Sequence, residues 1–173
     1  MKNLLITSIL IFFISINILS AKDNIVFVDM DRVISISKPG ANILNQLTDL
    51  KDKNLKYFEK NEKILKTKED KIIKQKNILS PNDFEVKVNE LKSEIKKYND
   101  ERNKIIKDYN KIKIDNTKKL IDLINPILTN YSNDQSIAMI LQKKNLIVGK
   151  SELDITKKIV DLVNKDIKEF KIK

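Results

Sequence analysis

The sequence predicts a mostly helical α+β protein, in which a small β body of two or three strands carries a long antiparallel α-helical coiled-coil hairpin. Three observations lead there. Apolar residues recur at steps of three and four through the middle of the chain. Short runs rich in β-branched residues stand on either side of that stretch. The 173 residues include only two Gly and three Pro, with 34% charged, a composition suited to long helices.

The first segment reads as an address. Lys2 precedes an apolar run from Leu4 to Leu19, broken by Thr7, Ser8, Ser15 and Asn17, and Ser20-Ala21 then meets the charged pair Lys22-Asp23. A basic start, an apolar core and a small residue at the junction make a secretory signal peptide, residues 1–21, with cleavage expected after Ala21. Leu19 departs from the small residue preferred near such a cut, and the alternative is an uncleaved anchor. Its apolar core falls short of the ~20 residues that span a bilayer. Loss of the segment removes one basic residue, so the net charge passes from +10 to +9.

Asn24 to Met30 reads as a strand, and Ser37-Lys38-Pro39-Gly40-Ala41 as a break. Helical periodicity then runs to about Tyr131. Ser136 to Leu141 reads as a second strand, Lys143-Lys144-Asn145 as a turn, and Leu146 to Gly149 as a third strand or strand-like piece. Asp154 to Phe170 reads as an amphipathic helix, with Ile155, Ile159, Leu162, Val163, Ile167 and Phe170 at helical spacing. The body is therefore 22–40 together with 132–173, and the arm is 41–131.

Within the arm, Leu44, Lys51, Phe58, Leu65, Ile72 and Leu79 form a heptad series with Lys51 as its polar member. A neighbouring series holds Ile43, Leu50, Tyr57, Ile64, Lys71 and Ile78, while Asn54, Asn61, Lys68 and Gln75 keep the stripe thin. The second arm is more regular: Phe84, Val88, Leu91, Ile95, Tyr98, Arg102, Ile105, Tyr109 and Ile112 alternate by four and three. Between the arms, Ser80-Pro81-Asn82-Asp83 combines an N-cap, a proline at the first helical position and an acid three residues after the cap. A tip near 80–83 makes the arms antiparallel, the first, Ala41 to Leu79, about 58 Å long at ~1.5 Å per residue. A straight rod kinked at Pro81 is the alternative, and it would hold the two sets of strands far apart.

The absence of Cys and His excludes thiol nucleophiles, imidazole proton shuttles and the usual transition-metal sites. Two Gly cannot furnish a phosphate-cradling loop. No enzyme activity, cofactor or metal is expected. Asp29 and Asp31 resemble a cation-binding pair, but a strand giving way to a helix N-terminus explains them more simply. Glu69-Asp70 and Asp100-Glu101 read as ion pairs on solvated faces. From Lys51 to Lys119 the net charge is +8, with 21 basic and 13 acidic residues, so nearly all the excess lies on the arms. Nucleic acid is disfavoured, because the chain reads as exported, its bases are almost all Lys and no stacking platform is evident. Acidic clients or anionic lipid suit the charge better.

The opening strand Ile25-Val26-Phe27-Val28-Asp29-Met30 follows directly on the signal. After the Lys-rich hairpin, the run from Ile137-Ala138-Met139-Ile140-Leu141 through Leu146-Ile147-Val148-Gly149 leads to Leu153-Asp154-Ile155-Thr156 at the final helix. In order and spacing this resembles the Skp/OmpH family of periplasmic chaperones. The arms depart from the family in being Lys/Asn/Ile-rich rather than Ala/Gln-rich. The resemblance implies a periplasmic homotrimer. Ile25, Val26, Phe27, Val28, Ile137, Ala138, Met139, Ile140, Leu141, Leu146, Ile147 and Val148 would build an intersubunit sheet or barrel. Three hairpins would enclose unfolded outer-membrane proteins without ATP, with anionic lipid or lipopolysaccharide as a further partner. Candidate client-facing residues on the arm are Tyr57, Phe58, Ile64, Lys71, Lys74, Ile78, Phe84 and Lys87, although the aromatic residues also suit the seam. A structural or adaptor coiled-coil protein of the cell envelope is the alternative function.

Overall fold

Strand β1 (Asn24–Val28) opens the computed structural model, which describes residues 24–168 and 170–172. The predicted signal peptide lies outside these residues. β1 stops two residues before the expected Met30, because Asp29 turns the chain into α1 (Met30–Ile36). The Asp29 carboxylate accepts the Arg32 N–H at 2.9 Å, satisfying a donor left free at the helix start. This spends Asp29 on capping, in line with the structural reading of the acidic pair. The acidic pair predicts a helix start here but not its extent, since seven residues with Val33 as the one buried side chain show no periodicity.

Ser37 ends α1 and caps α2 (Lys38–Gln75), its hydroxyl accepting the Gly40 N–H at 3.3 Å. The two helices meet so tightly that a Cβ on Gly40 would overlap the Ile34 carbonyl, so only glycine fits. α2 ends at Gln75, short of the expected Leu79, and 76–79 form the turn. Ser80 caps α3 (Pro81–Asp134): its hydroxyl accepts the Asp83 N–H at 3.1 Å and donates to the Asp83 carboxylate at 2.7 Å. The expected tip chemistry is present.

α2 and α3 run antiparallel. Tyr98 of α3 meets Phe58 and Glu62 of α2, and closer to the tip Glu94 meets Lys68. The hairpin, not the straight rod, is the observed form. At ~1.5 Å per residue α2 is about 57 Å long and α3 about 81 Å, because α3 carries on past the start of α2 into the body. Pro126 is accommodated inside α3 and removes one helical donor there. α3 ends with Ser136 in a left-handed conformation (φ 50°), its N–H reaching the Asn133 carbonyl at 3.3 Å.

β2 (Ile137–Gln142) pairs with β1 in parallel, so the hairpin is the crossover between two neighbouring strands. Asn24 pairs with Ile137 but Ile25 with Met139, so Ala138 is an extra, bulged residue. The bulge resets the alternation. Val26, Val28, Ile137 and Ile140 face the core, and Ile25, Phe27, Met139 and Leu141 share the opposite face. The other edge of β1 is taken by the segment entering α4 (Thr156–Asp166): Phe27 bridges to Asp154, and the Ile155 N–H donates to the Phe27 carbonyl at 3.0 Å.

Two expectations require correction. Leu146 to Gly149 is not a strand, because in the single chain both edges of β1 are occupied and a short 3₁₀ turn at Lys143–Asn145 carries the chain away from β2. The last helix is shorter than Asp154–Phe170. It starts where Asp154 Oδ1 accepts the Thr156 N–H at 2.9 Å, and beyond it Phe170 folds back, its carbonyl accepting from Gln46 Nε2 at 2.9 Å.

The core lies at the hairpin root. Val33, Leu120, Ile124, Ile159 and Val163 are fully enclosed, with Ile43, Leu47, Val26, Val28, Ile137 and Ile155 around them. Truncating Leu120 to Ala should lower stability by about 3 kcal/mol, read from the urea midpoint by circular dichroism. Asp154 supplies a second test. Burial opposes its ionisation, but hydrogen bonds from Thr156 and the Lys143 ammonium at 3.0 Å outweigh this and hold the carboxyl below its ordinary value. A depressed acid stabilises the fold above the unfolded carboxylate range and loses that contribution as pH falls through its folded value. The stabilities of wild type and Asp154→Asn should therefore converge as pH drops from about 5 toward 2. A constant gap over that range would exclude this role.

Candidate functional site

Two surfaces stand out, one on the body and one along the arms. On the body, Val26, Val28 and Ile137 are committed to the chain's own core. Phe27 is also buried, on the opposite sheet face: its ring packs beneath Gly149, where a Cβ would come within 2.8 Å of it, and Lys143 Nζ lies 5.9 Å from its centroid. Ile25 and Met139 stand exposed on that same face, Ala138 is exposed at the bulge, and Ile140 and Leu141 are half-buried. Leu146 is half-buried, while Ile147 and Val148 project fully into solvent. The outer edge of β2 has no strand beside it among the described residues. An open strand edge flanked by apolar side chains is a pairing surface.

Along the arms, the seam is held by few groups. Beyond the root, Phe58 and Tyr98 are the buried apolar residues, 8% and 9% exposed. The Tyr98 hydroxyl donates to Glu62 Oε1 at 2.9 Å. Arg102 lies 5.3 Å from the Phe58 ring centroid and 3.7 Å from Glu62. Burial and the Glu62 carboxylate both push the Tyr98 hydroxyl up, so it stays a donor at neutral pH. Lys68 reaches Glu94 at 2.6 Å, with both side chains about half exposed. Such a pair contributes about 0–1 kcal/mol. The arms are thus aligned by polar contacts and one aromatic cluster rather than by a continuous dry seam.

The candidate arm residues fall in different places. Tyr57 packs edge-on against Phe58 at 6.1 Å, and its hydroxyl is pushed up by a hydrogen bond to Glu101. Phe58 is a seam residue, enclosed rather than displayed, and Phe84 is half-buried. Ile64 is exposed among Lys60, Lys63, Lys68 and Lys71, in a groove of about 390 Å³. Lys71 and Lys87, from opposite arms, meet at a cleft of about 290 Å³ with Leu91 and Glu94. Lys74 is exposed in the last turn of α2, and Ile78 at the tip is 80% exposed. Lys71 is brought together with Ile64 in one groove and with Lys87 in the other, and Tyr57 separately with Phe58. Glu62, Glu94 and Arg102 were not singled out as candidates. The signal for them lies in pairing across the hairpin, which one strand of sequence does not display.

Among the described residues no cluster of three or more carboxylates could hold a metal ion, and no helix is long and apolar enough to cross a membrane.

A candidate outer membrane chaperone (OmpH-like) from Caulobacter crescentus CB15 has a similar structure, with a TM-score of 0.80 over 88% of this chain and 90% of that one. At 12% identity this likeness is one of fold: helical hairpin and small strand body. No curated protein matches the chain significantly. The family described as outer membrane protein (OmpH-like) matches residues 24–163, from β1 to the last helix. The matched span takes in both strands, the hairpin and most of the final helix, and the chain therefore belongs to the OmpH-like family.

Proposed function

We propose that this chain is an ATP-independent holdase chaperone of the periplasm, exported by the signal peptide at 1–21. It binds unfolded outer-membrane β-barrel proteins in a cavity between the arms of a homotrimer and prevents their aggregation before membrane insertion. One observation carries the reading. The body presents an open β2 edge and an apolar face that call for partner subunits, whereas the arms are long, cationic and thinly sealed. Copies joined at 22–40 and 132–173 leave the arms of 41–131 free to surround another chain. The similar Caulobacter protein is described as a chaperone, which agrees with this reading.

The mechanism follows from weak, numerous contacts. Ile64, Ile73 and Ile78 offer scattered apolar contacts among lysines. An unfolded chain is held by many such contacts without a single deep pocket. The excess of Lys attracts acidic clients and speeds encounter, and it also suits anionic lipid or lipopolysaccharide. Residues Ile25, Met139, Ile147 and Val148 serve subunit pairing. No step requires a nucleophile, a metal or nucleotide hydrolysis.

Mature protein mixed with a urea-diluted porin should suppress light scattering without ATP at a few-fold molar excess of trimer, and no suppression would sink the reading. The variant Ile147→Lys with Val148→Lys should sediment as a smaller species than wild type while keeping its helical circular dichroism. An unchanged sedimentation coefficient would remove these residues from the interface. Raising salt from 50 to 500 mM should slow client capture several-fold, as screening shortens the reach of the Lys charges.

A further inference from the structure

The principal heptad series of each arm carries one cation where the pattern calls for an apolar side chain: Lys51 in the first arm and Arg102 in the second. The fold brings these two interruptions, 51 residues apart in sequence, to the same place. Both line a cleft between α2 and α3 of about 260 Å³, whose other walls are Leu55, Phe58, Ile106 and Tyr109 with the polar Asn54. An apolar residue at either position would extend into the seam and fill this space. A cation instead keeps its charged end partly in water, and although Arg102 covers the Phe58 ring, Leu55 and Ile106 are left open. Leu55 and Ile106 are accordingly close to half exposed, far more than seam residues require.

Charge and shape together define the occupant. The walls accept an aliphatic or aromatic group, and two cations stand beside them. Arg102 is held over the Phe58 ring, and its nearest carboxylate, Glu62, sits at a loose 3.7 Å with both side chains about half exposed. That pairing is weak enough for a second carboxylate to share the guanidinium. We propose that this cleft is a discrete peptide subsite that takes an apolar side chain next to an acidic residue on an unfolded client. The proposal rests on the holdase reading and gives it a local sequence preference. The apolar group buries against Leu55 and Ile106, while the neighbouring carboxylate meets Lys51 and Arg102.

The test is calorimetric titration of the mature protein with acetylated, amidated Gly/Ser heptapeptides carrying phenylalanine–aspartate, phenylalanine–lysine or serine–aspartate at the centre. The first should bind at least tenfold tighter than either of the others. In Lys51→Leu with Arg102→Leu, which completes the seam, this binding should fall at least tenfold while the thermal midpoint stays level or rises. Arg102→Gln keeps most of the shape and should erase the preference for aspartate over lysine. Equal affinity for the three peptides, or unchanged binding in the seam-completing variant, overturns the subsite. Porin light scattering on the same samples separates the two readings. A wild type that suppresses aggregation yet shows no peptide preference loses only the cleft, and one that prefers the peptide without suppressing aggregation retains the cleft and loses the holdase.

Discussion

The parallel ladder between Asn24–Val28 and Ile137–Gln142 is the constraint on which the rest of the molecule depends. Two parallel strands cannot be joined by a tight turn, so the chain between them must leave one end of the sheet and come back to the other. Here that crossover is the entire hairpin. The ladder, the Ala138 bulge and the enclosed Leu120–Ile124–Ile159 cluster fix where the arms begin and end. The same ladder leaves one strand edge unpaired, and a two-stranded sheet is too small to stand without further cover. The hairpin architecture and the open strand edge thus share one cause.

The body and the arms are held together by different physics. At the root, side chains from α1, α2, α3, α4 and both strands exclude water together. Along the arms, a single aromatic cluster at Phe58 and Tyr98 is followed by ion pairs that remain about half exposed. Local opening therefore costs little toward the tip and much at the root. The molecule thus combines a rigid anchor with yielding arms.

The sequence displayed the large features because each has a local signature. Alternation by three and four marked the arms, Ser80-Pro81-Asn82-Asp83 marked the tip, and β-branched runs marked both strands. Other features depend on contacts between distant residues. The α1 helix is too short for periodicity, and its start is set by a single carboxylate at Asp29. Leu146 to Val148 has strand composition, yet Asp154 and Ile155 occupy the remaining edge of β1. Along the arms, Lys51 and Arg102 were visible as the polar members of their series. Their convergence follows only from the register that sets Phe58 against Tyr98.

The crossover also separates two properties that most folds bind together. Because both strands meet the hairpin only at its root, nothing in the body senses the tip. Removing one heptad from each helix would shorten the hairpin by about 10 Å without altering a single residue of the ladder or the core. Reach is therefore a dimension that insertion and deletion can tune independently of the body's fold. Arm length and body can thus vary separately in chains of this fold.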